Sequence, residues 1–213
     1  MTRAHRLESE DQLPRSPDLY WFPHHTQEHG MSCAPACARM IAEWMTKRLW
    51  TEKVVAKAIG WNGSYRPSYA QKKKLTAFVH RTGGRGRWAW SHCSFEERNL
   101  ENERALRDDL LLDKKAKRPK MRVAMLLVAA YRCNARLAHT ALTPVNVGHW
   151  LIARSIRRVS TELDSEVRAS TAGTPMVDLA VVHDPAFTEP YFETWDSLCG
   201  RVIDSAFVIE KRA

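Results

Sequence analysis

From Ser32 the apolar positions fall at helical spacing, so that Cys33, Cys37, Met40, Ile41 and Trp44 share the buried face of a helix predicted to run to about Arg48. Ser32 suits the N-cap, and Pro35 falls in the first turn, where its missing N–H costs nothing. Shorter helices are predicted over 51–58, stopped by Gly60, and over 68–80, stopped before Gly83 and Gly84, with a charged helix over 95–113. Residues 83–90, rich in Gly and Arg, read as a flexible basic loop passing into Trp88 and Trp90. Beyond Pro119 the texture changes to apolar runs at 123–131, 149–156, 177–183 and 202–209, predicted strands of one antiparallel sheet. Polar stretches at 132–148 and 157–175 separate them and are long enough to carry function. Helices followed by strands place the chain in the α+β class. Residues 1–20, polar and holding Pro14 and Pro17, read as an extended arm ahead of one domain over 21–213. Within that domain a helical part is expected over about 27–118 and a sheet part over about 119–213.

Composition narrows the class without choosing a function. A hydrophobic content of 44% is that of a globular protein, and no apolar run approaches the roughly 20 residues of a membrane span. Residues 1–10 alternate charges and lack the apolar core of a secretory signal, so a soluble, cytoplasmic chain is expected. The five cysteines, at 33, 37, 93, 133 and 199, are odd in number and scattered, which points to reduced thiols rather than a disulfide framework. A formal charge of +9 predicts attraction to acidic partners, whether protein, nucleic acid or anionic lipid.

Candidate chemistry enters with four residues met in the order Gln27, Cys33, His149, Asp184. Gln27 precedes by six a cysteine in the first turn of a predicted helix, within Gln27-Glu28-His29-Gly30-Met31-Ser32-Cys33-Ala34-Pro35-Ala36. His149 starts the apolar run Gly148-His149-Trp150-Leu151-Ile152-Ala153, and Asp184 closes another in Val181-Val182-His183-Asp184-Pro185. In motif and order these segments resemble the papain-like cysteine peptidases, and among them the C39-like group, whose pattern is Gln, then Cys-Gly-Pro-Ala, then His-Trp/Phe, then Asp-Pro. Ala34 stands where that group usually has Gly, and residues 51–120 match nothing in it.

The resemblance implies a papain-like fold, with a helical N-terminal lobe packed on a C-terminal antiparallel sheet and the site in the cleft between them. It implies Cys33 as nucleophile, His149 as its acid and base, and Asp184 as orienter of the imidazole. The Gln27 amide, with the Cys33 backbone N–H, would form the oxyanion hole. No cofactor and no metal is needed. A free domain of this type resembles a toxin or effector protease delivered into another cell. Its partners would be a protein substrate, acidic or associated with nucleic acid, and a cognate inhibitor or delivery protein.

Blander readings and rival functions accompany each residue. Cys37 suits the core, His149 could lie against Trp150, Asp184 could begin a turn before Pro185, and Gln27 could face solvent. Trp150 and Trp195 are candidates for cleft wall or core, and His24 and His25 read as surface residues. A zinc site is one rival, because His25, His29, Cys33 and Cys37 recur every four residues, although Gly30 and Pro35 interrupt the helix that would align them. Nucleic-acid binding is another, through Trp88, Trp90 and the lysine run at 114–120. Deamidation or acyl transfer would use the same three residues on a different nucleophile or amide.

Overall fold

The computed structural model describes residues 22–64, 66–91, 100–111, 122–129, 148–160, 176–200 and 202–211. An extended segment from Phe22 leads to three helices, α1 Cys33–Thr46, α2 Glu52–Ile59 and α3 Tyr69–Arg81. There follow β1 Gly84–Ser91, α4 Leu100–Leu110, β2 Arg122–Ala129, β3 Gly148–Ser160, β4 Met176–His183, β5 Tyr191–Thr194, α5 Trp195–Cys199 and β6 Val202–Lys211. The strands make one six-stranded sheet in the order β1-β6-β2-β3-β4-β5, with every pairing antiparallel. The α+β expectation holds, and the expected strands are all present.

The period of two along each strand sorts side chains onto two faces. Val123, Met125, Leu127, Trp150, Ile152, Phe207 and Ile209 join Met40, Ile41, Trp44, Val55, Leu75 and Phe78 of the first three helices in one core. Ala124, Leu126, Val128, Leu151, Ala153, Ala180, Val182, Ala206 and Val208 form the other, covered by Leu106 and Leu110 of α4 and Leu198 of α5. Cover on both faces explains why β2 and β6 read as nearly continuous apolar runs rather than as alternation. It also places α4, expected beside the other helices, on the opposite side of the sheet.

Residues 84–91 are a correction, because the expected loop is strand β1 at the sheet edge, paired with β6 from Gly84↔Lys211 to Ser91↔Ser205. Gly86 is what lets it lie there, since a Cβ at that position would enter the Phe207 ring. Trp88 stacks on Phe207 at 4.6 Å and meets Trp150 edge-on, so it is packed on the core rather than offered to bases. β3 also runs to Ser160, further into the expected 157–175 loop than the pattern indicated, and β5 adds an unexpected strand. Trp150 and Trp195 are 1% and 5% exposed, which makes both core. The arm at 1–20, the start of the 95–113 helix, the lysine run, Cys93, Cys133 and most of the two polar stretches lie outside the described residues. Among those described, no helix is long and apolar enough to cross a membrane.

Candidate active site

Cys33 is the first residue of α1, so its N–H has no acceptor within the helix and its side chain sits at the positive end of the dipole. Ser32 occupies the N-cap as expected, but its hydroxyl does not cap: it donates to the His29 carbonyl at 2.8 Å and accepts from the His29 N–H at 3.1 Å. The serine therefore closes the 29–32 turn and leaves the first-turn N–H groups uncovered beside the thiol. One turn on, Cys37 donates to the Trp150 carbonyl at 3.4 Å. Burial pushes its thiol well above the usual range, with the nearby Cys33, Asp184 and Glu52 charges adding to the effect. Two cysteines four residues apart thus have opposite environments, one at a helix mouth and one locked in the core.

The strand register brings the second half of the site to this helix. Ile152 pairs with His183, so His149 near the start of β3 and Asp184 just past the end of β4 fall at the same end of the sheet. His149 Nε2 donates to Asp184 Oδ1 at 2.6 Å, which leaves Nδ1 as the ring nitrogen for Cys33. Asp184 is fully buried, and its Oδ1 also accepts from the Ala186 N–H at 2.8 Å. Burial alone would lower the His149 pKa, but the hydrogen bonds to Asp184 and Cys33, reinforced by their charges, raise it to about 9. At neutral pH the ring is an imidazolium between Asp184 and Cys33. Cys33 is 4% exposed and His149 only partly so, hence access to the sulfur is narrow.

Gln27 joins the same end through its backbone, whose N–H donates to the Pro185 carbonyl at 2.8 Å. Its side chain is half-buried, not solvent-facing, and its Oε1 is buried without a hydrogen-bond partner. Cys33, His149 and Asp184 thus come together through one helix terminus, one strand terminus and the start of one turn, and the extended segment holding Gln27 is tied beside them by its backbone.

Sequence reasoning passed over the residues that hold this cluster. His25, expected at the surface, instead bonds Glu43 of α1, whose carboxylate also accepts from Arg39 Nε at 3.1 Å and the Trp50 N–H at 3.0 Å. Burial would raise the Glu43 carboxyl, yet the bonds from His25, Trp50 and Arg39 outweigh it and hold the group below its ordinary value. His24 likewise turns inward, with Nε2 on the Phe187 carbonyl at 2.9 Å. His183, beside Asp184, accepts from Arg154 Nε at 3.0 Å and is driven down to about 2 by burial, then by the Arg154 and His24 charges. It is neutral, and so does not compete with His149 for the Asp184 charge. Glu43, an acidic residue between Ala42 and Trp44 and four residues after Arg39, was a signal in the sequence for this shell.

The zinc alignment does not form: His25 goes to Glu43 and Cys37 to Trp150, and no described group of three or more His, Cys, Asp or Glu is placed to hold a metal ion. No protein-family model matches the sequence, and no curated protein matches it. A solved structure does: a double glycine motif protease from an AMS/PCAT transporter, in complex with the leader peptide, superposes with a TM-score of 0.51 at 9% identity over 90% of this chain and 93% of that one. The chain has the papain-like α+β fold of that peptidase.

Proposed function

We propose that this protein is a cysteine peptidase that cleaves peptide amide bonds in protein substrates, with Cys33, His149 and Asp184 as its triad and Gln27 as oxyanion donor. The observation that carries this reading is the His149 ring, bonded to buried Asp184 and facing a cysteine at a helix N-terminus, an arrangement that raises the ring's pKa to about 9. A thiolate is the attacking species, and both the imidazolium and the helix end stabilise it. Its sulfur adds to the scissile carbonyl carbon and the oxygen takes up the negative charge. The Cys33 N–H and the Gln27 amide N–H groups stabilise that oxyanion. As the C–N bond breaks, His149 gives its proton to the leaving amine and a thioester remains on Cys33. Neutral His149 then takes a proton from water, which attacks the thioester, releases the acid and regenerates the thiolate–imidazolium pair. Asp184 keeps the ring in one orientation throughout.

The narrow access to Cys33 favours small residues at the scissile bond, and the similar peptidase was solved with a leader peptide. Peptides carrying a double-glycine motif are therefore the first substrates to try. Iodoacetamide is expected to label Cys33 well ahead of Cys37 and Cys199 because Cys33 lies beside the His149 ring at a helix N-terminus, not because of exposure, since Cys33 and Cys199 are equally buried. His149→Ala should slow that labelling, and Cys33→Ala should abolish cleavage. Labelling that does not discriminate among the cysteines, or cleavage that survives Cys33→Ala, would refute the assignment. Release of ammonia, or transfer of the acyl group to an added amine in preference to water, would redirect it to deamidase or acyltransferase on the same residues.

A further inference from the structure

We infer that Glu52 is a positioning residue for the oxyanion hole, an assignment that rests on the peptidase reading and extends it to a residue no motif marks. Glu52 opens α2 and is 2% exposed. Its Oε2 accepts from the Glu28 N–H at 3.0 Å, and its Oε1 is buried with no hydrogen-bond partner. Among the described residues no cation pairs with it. A buried carboxylate so poorly compensated is costly, and a neutral acceptor would fix the same N–H at lower cost. The helix N-terminus offsets part of that cost, with Thr51 capping it through the Val54 N–H.

The location gives the carboxylate its purpose. Gln27 hangs from two consecutive backbone bonds: its own N–H on Pro185, next to the triad aspartate, and the following N–H, of Glu28, on Glu52. One bond ties Gln27 to the sheet side of the cleft and the other ties it to the helical side. Without the second, the peptide after Gln27 keeps on the helical side the half-exposed Glu28–Arg39 ion pair, a weak anchor, and the Gln27 side-chain amide is held less firmly. Glu52 also contributes to the field that raises Cys37, which puts it within electrostatic range of α1 one turn in from Cys33.

The test uses the full chain and the variants Glu52→Ala, Glu52→Gln, Gln27→Ala and the Gln27→Ala/Glu52→Ala double. Glu52→Ala is expected to lower kcat on a double-glycine peptide by about 100-fold, the scale of a misplaced catalytic group, with KM nearly unchanged. Iodoacetamide labelling of Cys33, which makes no oxyanion, should stay at the wild-type rate. Glu52→Gln, which keeps an acceptor, should recover most of the loss, and the double variant should be no slower than Gln27→Ala. Additive losses in the double variant, an equal fall in labelling, or unfolding of both Glu52 variants would overturn the proposal and leave Glu52 a stability residue. Hydrogen exchange at the Glu28 amide needs no substrate: it should accelerate in Glu52→Ala, and unchanged protection would overturn the positioning role even if wild type cleaved nothing. Failure of the peptidase reading is seen separately, as absent cleavage with unselective labelling in wild type.

Discussion

His149 concentrates the chemistry of the site in one titration. Its raised pKa means the imidazolium gains from the fold, a gain complete below the ordinary value of 6.5 and lost as pH rises through about 9. Expulsion of the amine needs that proton, so hydrolysis is expected to decline above about pH 9. Iodoacetamide labelling of Cys33 requires no such proton and should not follow the same limb. Asp184→Ala should move the limb to lower pH, because Asp184 supplies the larger of the two hydrogen-bond contributions. A pH profile unchanged by that substitution would assign the limb to another group. At this scale the candidate site was legible in the sequence, since a thiol behind a helix start and an Asp-Pro turn are local signals. Glu52 was not, because nothing local distinguishes a buried first-turn glutamate from a solvated one.

At the scale of elements, prediction succeeded where a segment carries its own period and failed where a partner decides. Helix α1 was legible from its apolar face, and α2 and α3 from caps and stops such as Thr51, Gly60 and Ser68. Strand β1 was not, because Gly-Arg-Gly-Arg has no strand propensity of its own and is held by β6, more than a hundred residues away. That dependence is testable at Gly86, where Gly86→Ala drives a methyl into Phe207 and should cost about 1–3 kcal/mol in urea unfolding. Phe207→Leu added to it should restore part of the loss. Wild-type stability in the alanine variant would mean that β1 can slide away from the ring.

For the molecule as a whole, the candidate site lies where a helix on one face of the sheet meets the ends of β3 and β4, and Glu43 fastens the chain between them. The Glu43 carboxyl lies below its ordinary 4.5 when folded, so its contribution is complete above that value and is lost as pH falls through the lowered one. Glu43→Gln is therefore expected to cost about 2 kcal/mol at neutral pH, with the gap to wild type closing in acid, as read from urea midpoints. A gap independent of pH would show that charge plays no part. Taken alone, the order of apolar periods determined the α+β class, and the resemblance of short motifs to the papain-like peptidases supplied the four candidate residues, because both depend on near neighbours along the chain. Only the tertiary structure decided that β1 is a strand, that α4 covers the far face, and that His25 and Glu52 turn inward to brace the segment around Gln27. Each of those depends on which distant surface is available to bury against or bond to, and a one-dimensional pattern holds no record of that.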